Sequence, residues 1–226
     1  MDLNAEQIRW ILIGLFVLIV SVALHEFGHA VTAHKLGDDT PSRQGRVTLN
    51  PLAHADPIGT FLLPLVGGLF SAMGGSVGGF GWGKPVQWNP GRIRRGINMS
   101  TARILVSFAG PAMNLLLAVV VATTSVILIS QGVGSRDLHQ ILYYAVVTNF
   151  VLFFFNLLPV PPLDGGHILE SFMPYRHRGK FEHYARYSPF LLLALIMIPS
   201  LAKVFLAPAL WCAKHLYSGL GSVVGI

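Results

Sequence analysis

The chain has 226 residues, of which 53% are hydrophobic and only 12% charged, and its mean hydropathy is +0.59. A soluble domain carries about 25% charged residues, and those present here are clustered, with none in residues 10–24, 57–83, 104–135 or 138–163. Runs of that length suit a bilayer core, which takes about 20 apolar residues per helix, so a water-soluble globule, a disordered chain and a disulfide scaffold are excluded.

The first helix is predicted over residues 8–34, ended by Gly37 and Asp38. Its leading residues Asp2, Glu6 and Arg9 are not net positive and no small-residue cleavage site follows, so it reads as a membrane span rather than a removable signal peptide. Residues 46–49 alternate like a strand before Asn50-Pro51. Residues 57–83 are apolar but rich in glycine, with Pro57 and Pro64, and read as a broken or re-entrant segment. A second strand-like piece, residues 84–90, also ends in Asn-Pro. A basic run (Arg92, Arg94, Arg95, Arg103) leads to long helices over 104–129 and 138–158. The latter breaks at Pro159-Val160-Pro161-Pro162, where proline removes amide donors. A second basic loop precedes a hydrophobic C-terminal region, residues 188–226, whose one or two crossings the pattern leaves open.

The expected class is an all-α polytopic membrane protein. A three-helix core carries short membrane-associated β-strands and a re-entrant segment, in a single domain over residues 1–226. The single cysteine, Cys212, offers neither an internal disulfide nor a cysteine-based zinc site. The formal charge of +6 fits loops that set membrane orientation better than a nucleic-acid surface.

Chemistry enters at His25-Glu26-Phe27-Gly28-His29. Histidines at i and i+4 project from one helical face and can share a metal ion, and Glu26 beside them is placed to take a proton from water. The bland reading is a pair of hydrogen-bonded core histidines. It loses ground because ionisable groups inside a membrane segment are costly and because the pattern matches a zinc mechanism position by position. A catalytic zinc needs a third ligand. Asp164, after a full-length apolar helix, is the best candidate, although before Gly165-Gly166 it also suits a helix N-cap.

Three segments together resemble the signatures of the site-2 protease family of intramembrane zinc metalloproteases. They are His25–His29, Gly110-Pro111-Ala112-Met113-Asn114, and the run from Asn156 through Pro159-Val160-Pro161-Pro162-Leu163 to Asp164-Gly165. They fall in the family's order and cover a catalytic core over residues 8–170. The resemblance implies one Zn2+ per chain held by His25, His29 and Asp164, with Glu26 activating water and Asn156 stabilising the transition state. It also points to the compact subgroup without PDZ or CBS modules. A helix–helix hydrogen bond stays open for Asn156, and is the preferred role for Asn114; Gly110 reads as a close-packing position. His54, Asp56, His167 and Glu170 lie near the motifs, as supporting partners or as loop residues.

His25 and Asp164 share a metal only if the chain crosses the membrane an even number of times between them. The helices at 104–129 and 138–158 supply two crossings, so residues 57–83 should enter and return. Twelve of the sixteen basic residues then lie on the metal's side, and the positive-inside rule turns that side to the cytoplasm. The expected function is an endopeptidase that cuts a transmembrane protein within the bilayer of a prokaryotic cytoplasmic membrane. Two other readings stay open: a metal-binding transporter or scaffold, which would not need Glu26, and a zinc hydrolase of lipid-like amides or esters.

Overall fold

The computed structural model describes residues 3–72 and 81–225, apart from the side chain of Tyr175. Helix α1 (Ala5–Lys35) begins in a capping box. Asn4 accepts the amide of Gln7, and the Gln7 side chain accepts the amide of Asn4. At 31 residues it is about 46 Å long. It ends at Gly37, whose φ of +112° places the residue where side chains are disfavoured. A short helix, α2 (Thr40–Arg43), follows. A π-helical turn (Pro57–Leu62) then continues into α3 (Leu63–Ala72).

Helix α4 (Met99–Ser130) starts at an Asn98 cap and carries Pro111 inside it. Helix α5 (Arg136–Asn156) starts at a Ser135 cap and stops before the proline run. Helix α6 (Asp164–Phe172) is short. Helices α7 (Arg178–Met197) and α8 (Pro199–Val224) complete the chain. They meet at an angle of 77° across Ile198, within the C-terminal region whose one or two crossings the sequence left open. Proline at 199 accounts for the break, because it disfavours helix at the residue before it.

Helix α4 is the central element, packed on α1 and α5 with α6 and α8 against its flanks. Small residues let the backbones approach: Ala118, Ala122, Ala209 and Ala213 are fully buried beside Val146 and Phe150. Where α1 meets α4, a Cβ on Gly28 would lie 2.6 Å from the Ala109 carbonyl oxygen. Large apolar side chains such as Phe16, Leu116, Val120, Phe190 and Trp211 point outward. Helices α1, α4 and α5 are each long and apolar enough to cross a bilayer, and the bent α7–α8 pair is apolar enough to form either a broken span or a re-entrant loop. This is a multi-pass membrane protein.

The expected β-strands are absent among the described residues. Residues 46–49 and 84–90 do alternate, but a strand also needs a neighbouring backbone, and both pieces spend their backbone groups elsewhere. Residues 82–89 form an extended strap whose inward groups bond to turns and side chains. The amides of Trp82 and Lys84 reach the carbonyls of Gly59 and His54 at 3.0 and 2.9 Å. The amide of Val86 reaches Glu26 Oε2 at 3.0 Å, and that of Asn89 reaches Asp38. The buried Arg46 guanidinium donates to the Ala53 and Lys84 carbonyls, and the Thr48 carbonyl lies 2.9 Å from His54 Nε2. Pro85 and Pro90 have no amide to offer.

The strap also bears on the re-entrant expectation. Trp82 is tied back to Gly59, and its carbonyl accepts from Thr60 Oγ1 at 2.8 Å. At the other end of α3, the Ala72 carbonyl accepts from Gln7 near the start of α1. Residues 57 to 83 therefore begin and end at the same level of α1; residues 73–80 lie outside the described residues.

Candidate metal centre

The imidazoles of His25 and His29, one turn apart on α1, turn toward α4, where Gly110 leaves space for them. A Cβ at 110 would overlap His29 Nε2 and lie 2.7 Å from His25 Nε2. From the opposite side α6 presents Asp164. The proline run and Gly165-Gly166 allow this by folding the chain tightly: a Cβ on Gly165 would strike the Leu157 and Leu158 carbonyls, and one on Gly166 would lie 2.6 Å from Pro161 N. Leu163 occupies the cap position of α6, so the N-cap reading of Asp164 gives way. Its carboxylate lies 3.2 Å from His25 Nε2 and 3.4 Å from His29 Nε2. One ligand atom from each of the three residues falls within 4.8 Å of the others.

The surrounding hydrogen bonds fix which nitrogens carry protons. His29 Nδ1 faces the Val106 carbonyl oxygen at 2.7 Å, which only accepts, so Nδ1 must donate. His25 Nδ1 faces Asn114 Oδ1 at 2.7 Å. In the neutral rings both lone pairs therefore sit on Nε2, and the two Nε2 atoms are 3.0 Å apart. Buried Asp164 Oδ2 has no hydrogen-bond partner. Two imidazole lone pairs and a carboxylate crowded together repel one another unless a cation joins them. Two nitrogens and one oxygen are a donor set that zinc accepts, with room for a fourth ligand.

Glu26, buried beside the cluster, accepts the Val86 amide. All four residues line a cavity of about 620 Å³ enclosed by α1, α4, α5, the strap and α7, with largely apolar walls that include Trp82, Trp88, Phe155 and Leu192. Asn156 lines it too, but its amide donates back to the Leu152 carbonyl at 2.9 Å and makes no bond to the cluster. The neighbours weighed from sequence divide. His167 lines the cavity, Glu170 pairs with Arg103 at 2.8 Å, Asp56 caps the turn that follows it, and His54 is buried in the loop beneath the strap.

Sequence reasoning gave Asn114 a helix–helix bond; the structure shows that and a direct contact to His25. It missed Asn149 and Ser21, although an asparagine inside the uncharged run 138–163 was a visible signal. The strap amide on Glu26 had no sequence signature, because backbone donors carry none.

The sequence model of peptidase family M50 matches residues 13–136 and 126–199. The chain is 39% identical over 187 residues to YwhC of Bacillus subtilis (strain 168), a match covering 80% of this chain and 78% of that protein. It is 32% identical over 230 residues to Rip2 of Mycobacterium tuberculosis (strain ATCC 25618 / H37Rv), covering 93% and 80%. Both relatives are named as zinc metalloproteases. No solved structure matches. With matched segments spanning the histidine pair and Asp164, the chain belongs to peptidase family M50, the site-2 proteases.

Proposed function

We propose that the chain is an intramembrane zinc endopeptidase that hydrolyses a peptide bond within or near a transmembrane segment of another protein. One observation carries the reading: His25, His29 and Asp164 converge within 4.8 Å on the wall of a cavity that also holds Glu26. His25, His29 and Asp164 would hold one Zn2+ per chain. Bound there, zinc supplies Lewis acidity and lowers the pKa of water toward about 7. Glu26 acts as general base toward the attacking water and returns the proton to the leaving nitrogen. The Val86 amide orients one carboxylate oxygen of Glu26 and leaves the other for the water. Asn156 Nδ2 has two hydrogens and commits one to Leu152; the second is available to the oxyanion that develops on the scissile carbonyl.

A helical substrate hides its peptide bonds and must unwind to react. From Trp82 to Val86 the even residues bond inward, so in an extended chain the backbone groups of Gly83 and Pro85 point to the opposite side. That edge would hold an unwound segment by strand addition. The apolar walls suit the side chains of a membrane segment.

By the positive-inside rule, the basic loops on the metal's side support an active site that faces the cytoplasm of a prokaryotic cell membrane. The test is cleavage of a transmembrane reporter by purified protein in detergent, with the products weighed to locate the cut. Wild type should cut inside the apolar segment, and Glu26→Gln should lower the rate by at least ~100-fold. Equal cleavage by the two proteins would remove Glu26 from the reaction.

A further inference from the structure

Three helices meet at a buried polar network beside His25. Asn149 of α5 and Asn114 of α4 are 1% and 0% exposed, and Ser21 of α1 is 1% exposed. Asn149 Nδ2 donates to the Ala145 carbonyl oxygen and to Ser21 Oγ, both at 2.9 Å. The carbonyl can only accept, so the Asn149 amide has one orientation, and Asn149 Oδ1 faces Asn114. Asn114 Nδ2 donates to that oxygen at 3.0 Å and to the Ser21 carbonyl oxygen at 3.1 Å. Asn114 Oδ1 is then turned to His25 Nδ1 at 2.7 Å. Each bond in the series dictates the polarity of the next.

We propose that Asn149, which makes no contact with the metal cluster, is a positioning residue that acts through Asn114 to hold His25 in its Nδ1–H tautomer, leaving Nε2 free to bind the ion. The assignment rests on the metal reading of His25. Such a device is needed here because the two histidines are not equally constrained. His29 has a backbone carbonyl opposite Nδ1 and cannot adopt the wrong tautomer without losing its bond. His25 faces a side-chain amide, and a flip of Asn114 would present it with a donor and move its lone pair to Nδ1. Asn149 opposes the flip together with the Ser21 carbonyl, because the flipped amide would set Asn114 Oδ1 against both Asn149 Oδ1 and the Ser21 carbonyl oxygen in a buried site. Burial makes that arrangement expensive.

The test uses the full chain in detergent. Zinc affinity is measured by chelator competition for wild type, Asn149→Ala and Ser125→Ala, the last removing another buried hydroxyl about three turns further along α4. Loss of an outer partner of a metal ligand commonly costs 10–100-fold in affinity. Asn149→Ala is expected to weaken zinc binding by ~10-fold and to alter the cobalt-substituted absorption spectrum; Ser125→Ala should change neither. Equal affinity and an unchanged spectrum in Asn149→Ala would overturn the proposal.

A second measurement needs no variant at 149. The nitrogen-15 spectrum of zinc-free, histidine-labelled wild type, with His25 identified by its loss in His25→Ala, should show a proton on Nδ1. A proton on Nε2 instead would also overturn the proposal. Wild type that takes up no zinc, yet keeps His25 protonated at Nδ1, would remove the metal reading while supporting the tautomer control.

Discussion

Gly110 shows how much of the site depends on an atom that is not there. Its α-carbon faces both imidazoles, and a single methyl would occupy the space of their ligating nitrogens. In an exposed helix interior, glycine to alanine stabilises by up to ~1 kcal/mol. Gly110→Ala should therefore keep the helix and lose the metal, with zinc affinity falling at least ~10-fold by chelator competition. Gly219→Ala on α8, where an added Cβ meets nothing within 4 Å, should raise the melting temperature and leave zinc binding unchanged. Normal zinc affinity in Gly110→Ala would show that the histidines bind in another rotamer. The ligand pair was legible from sequence because an i, i+4 spacing fixes a shared face without any tertiary knowledge. Gly110 was read as a packing residue, which is true, but what it packs against became visible only with α1 and α4 placed together.

At the level of elements, α6 brings Asp164 to the histidines, and it is tied to α4 by Arg103 and Glu170 at 2.8 Å. Both side chains are about one-third exposed, so the pair contributes at most ~1 kcal/mol, about fivefold in an equilibrium. Arg103→Glu should accordingly weaken zinc retention by several-fold, and the reciprocal double variant Arg103→Glu/Glu170→Arg should recover most of the loss. Failure of the double variant to recover would mean that the proline run alone sets the position of α6. The three long helices were readable to within about five residues, since apolar length is a local signal. The two strand-like pieces were misread because alternation reports only which side chains face inward. Whether a partner backbone lies alongside is a long-range fact, and here side chains such as Glu26, Asp38 and Arg46 take its place.

Across the whole molecule, two ion-pair ends mark the direction of the chain. Arg9 near the start of α1 meets Asp137 at the start of α5 at 2.7 Å, while His25 and Asp164 meet at the other end. His25 and Asp164 therefore lie at the same end of the core, the arrangement that a shared metal requires, with α4 and α5 as the two long helices between them. Most of the arginines and lysines then collect at the metal's end, where Arg92 beside the half-exposed Asp39 holds its carboxyl below the usual range, with help from Arg43. The central claim is that a His2Asp zinc centre is built at one end of this core from α1 and α6. The most direct measurement is the zinc content of purified wild type, Glu26→Gln and Asp164→Ala after equilibration with limiting metal and removal of excess. One zinc per chain in wild type and in Glu26→Gln, with Asp164→Ala losing most of its metal under the same conditions, is the predicted result. Wild type without zinc after resupply, or Asp164→Ala holding zinc as tightly as wild type, would contradict it.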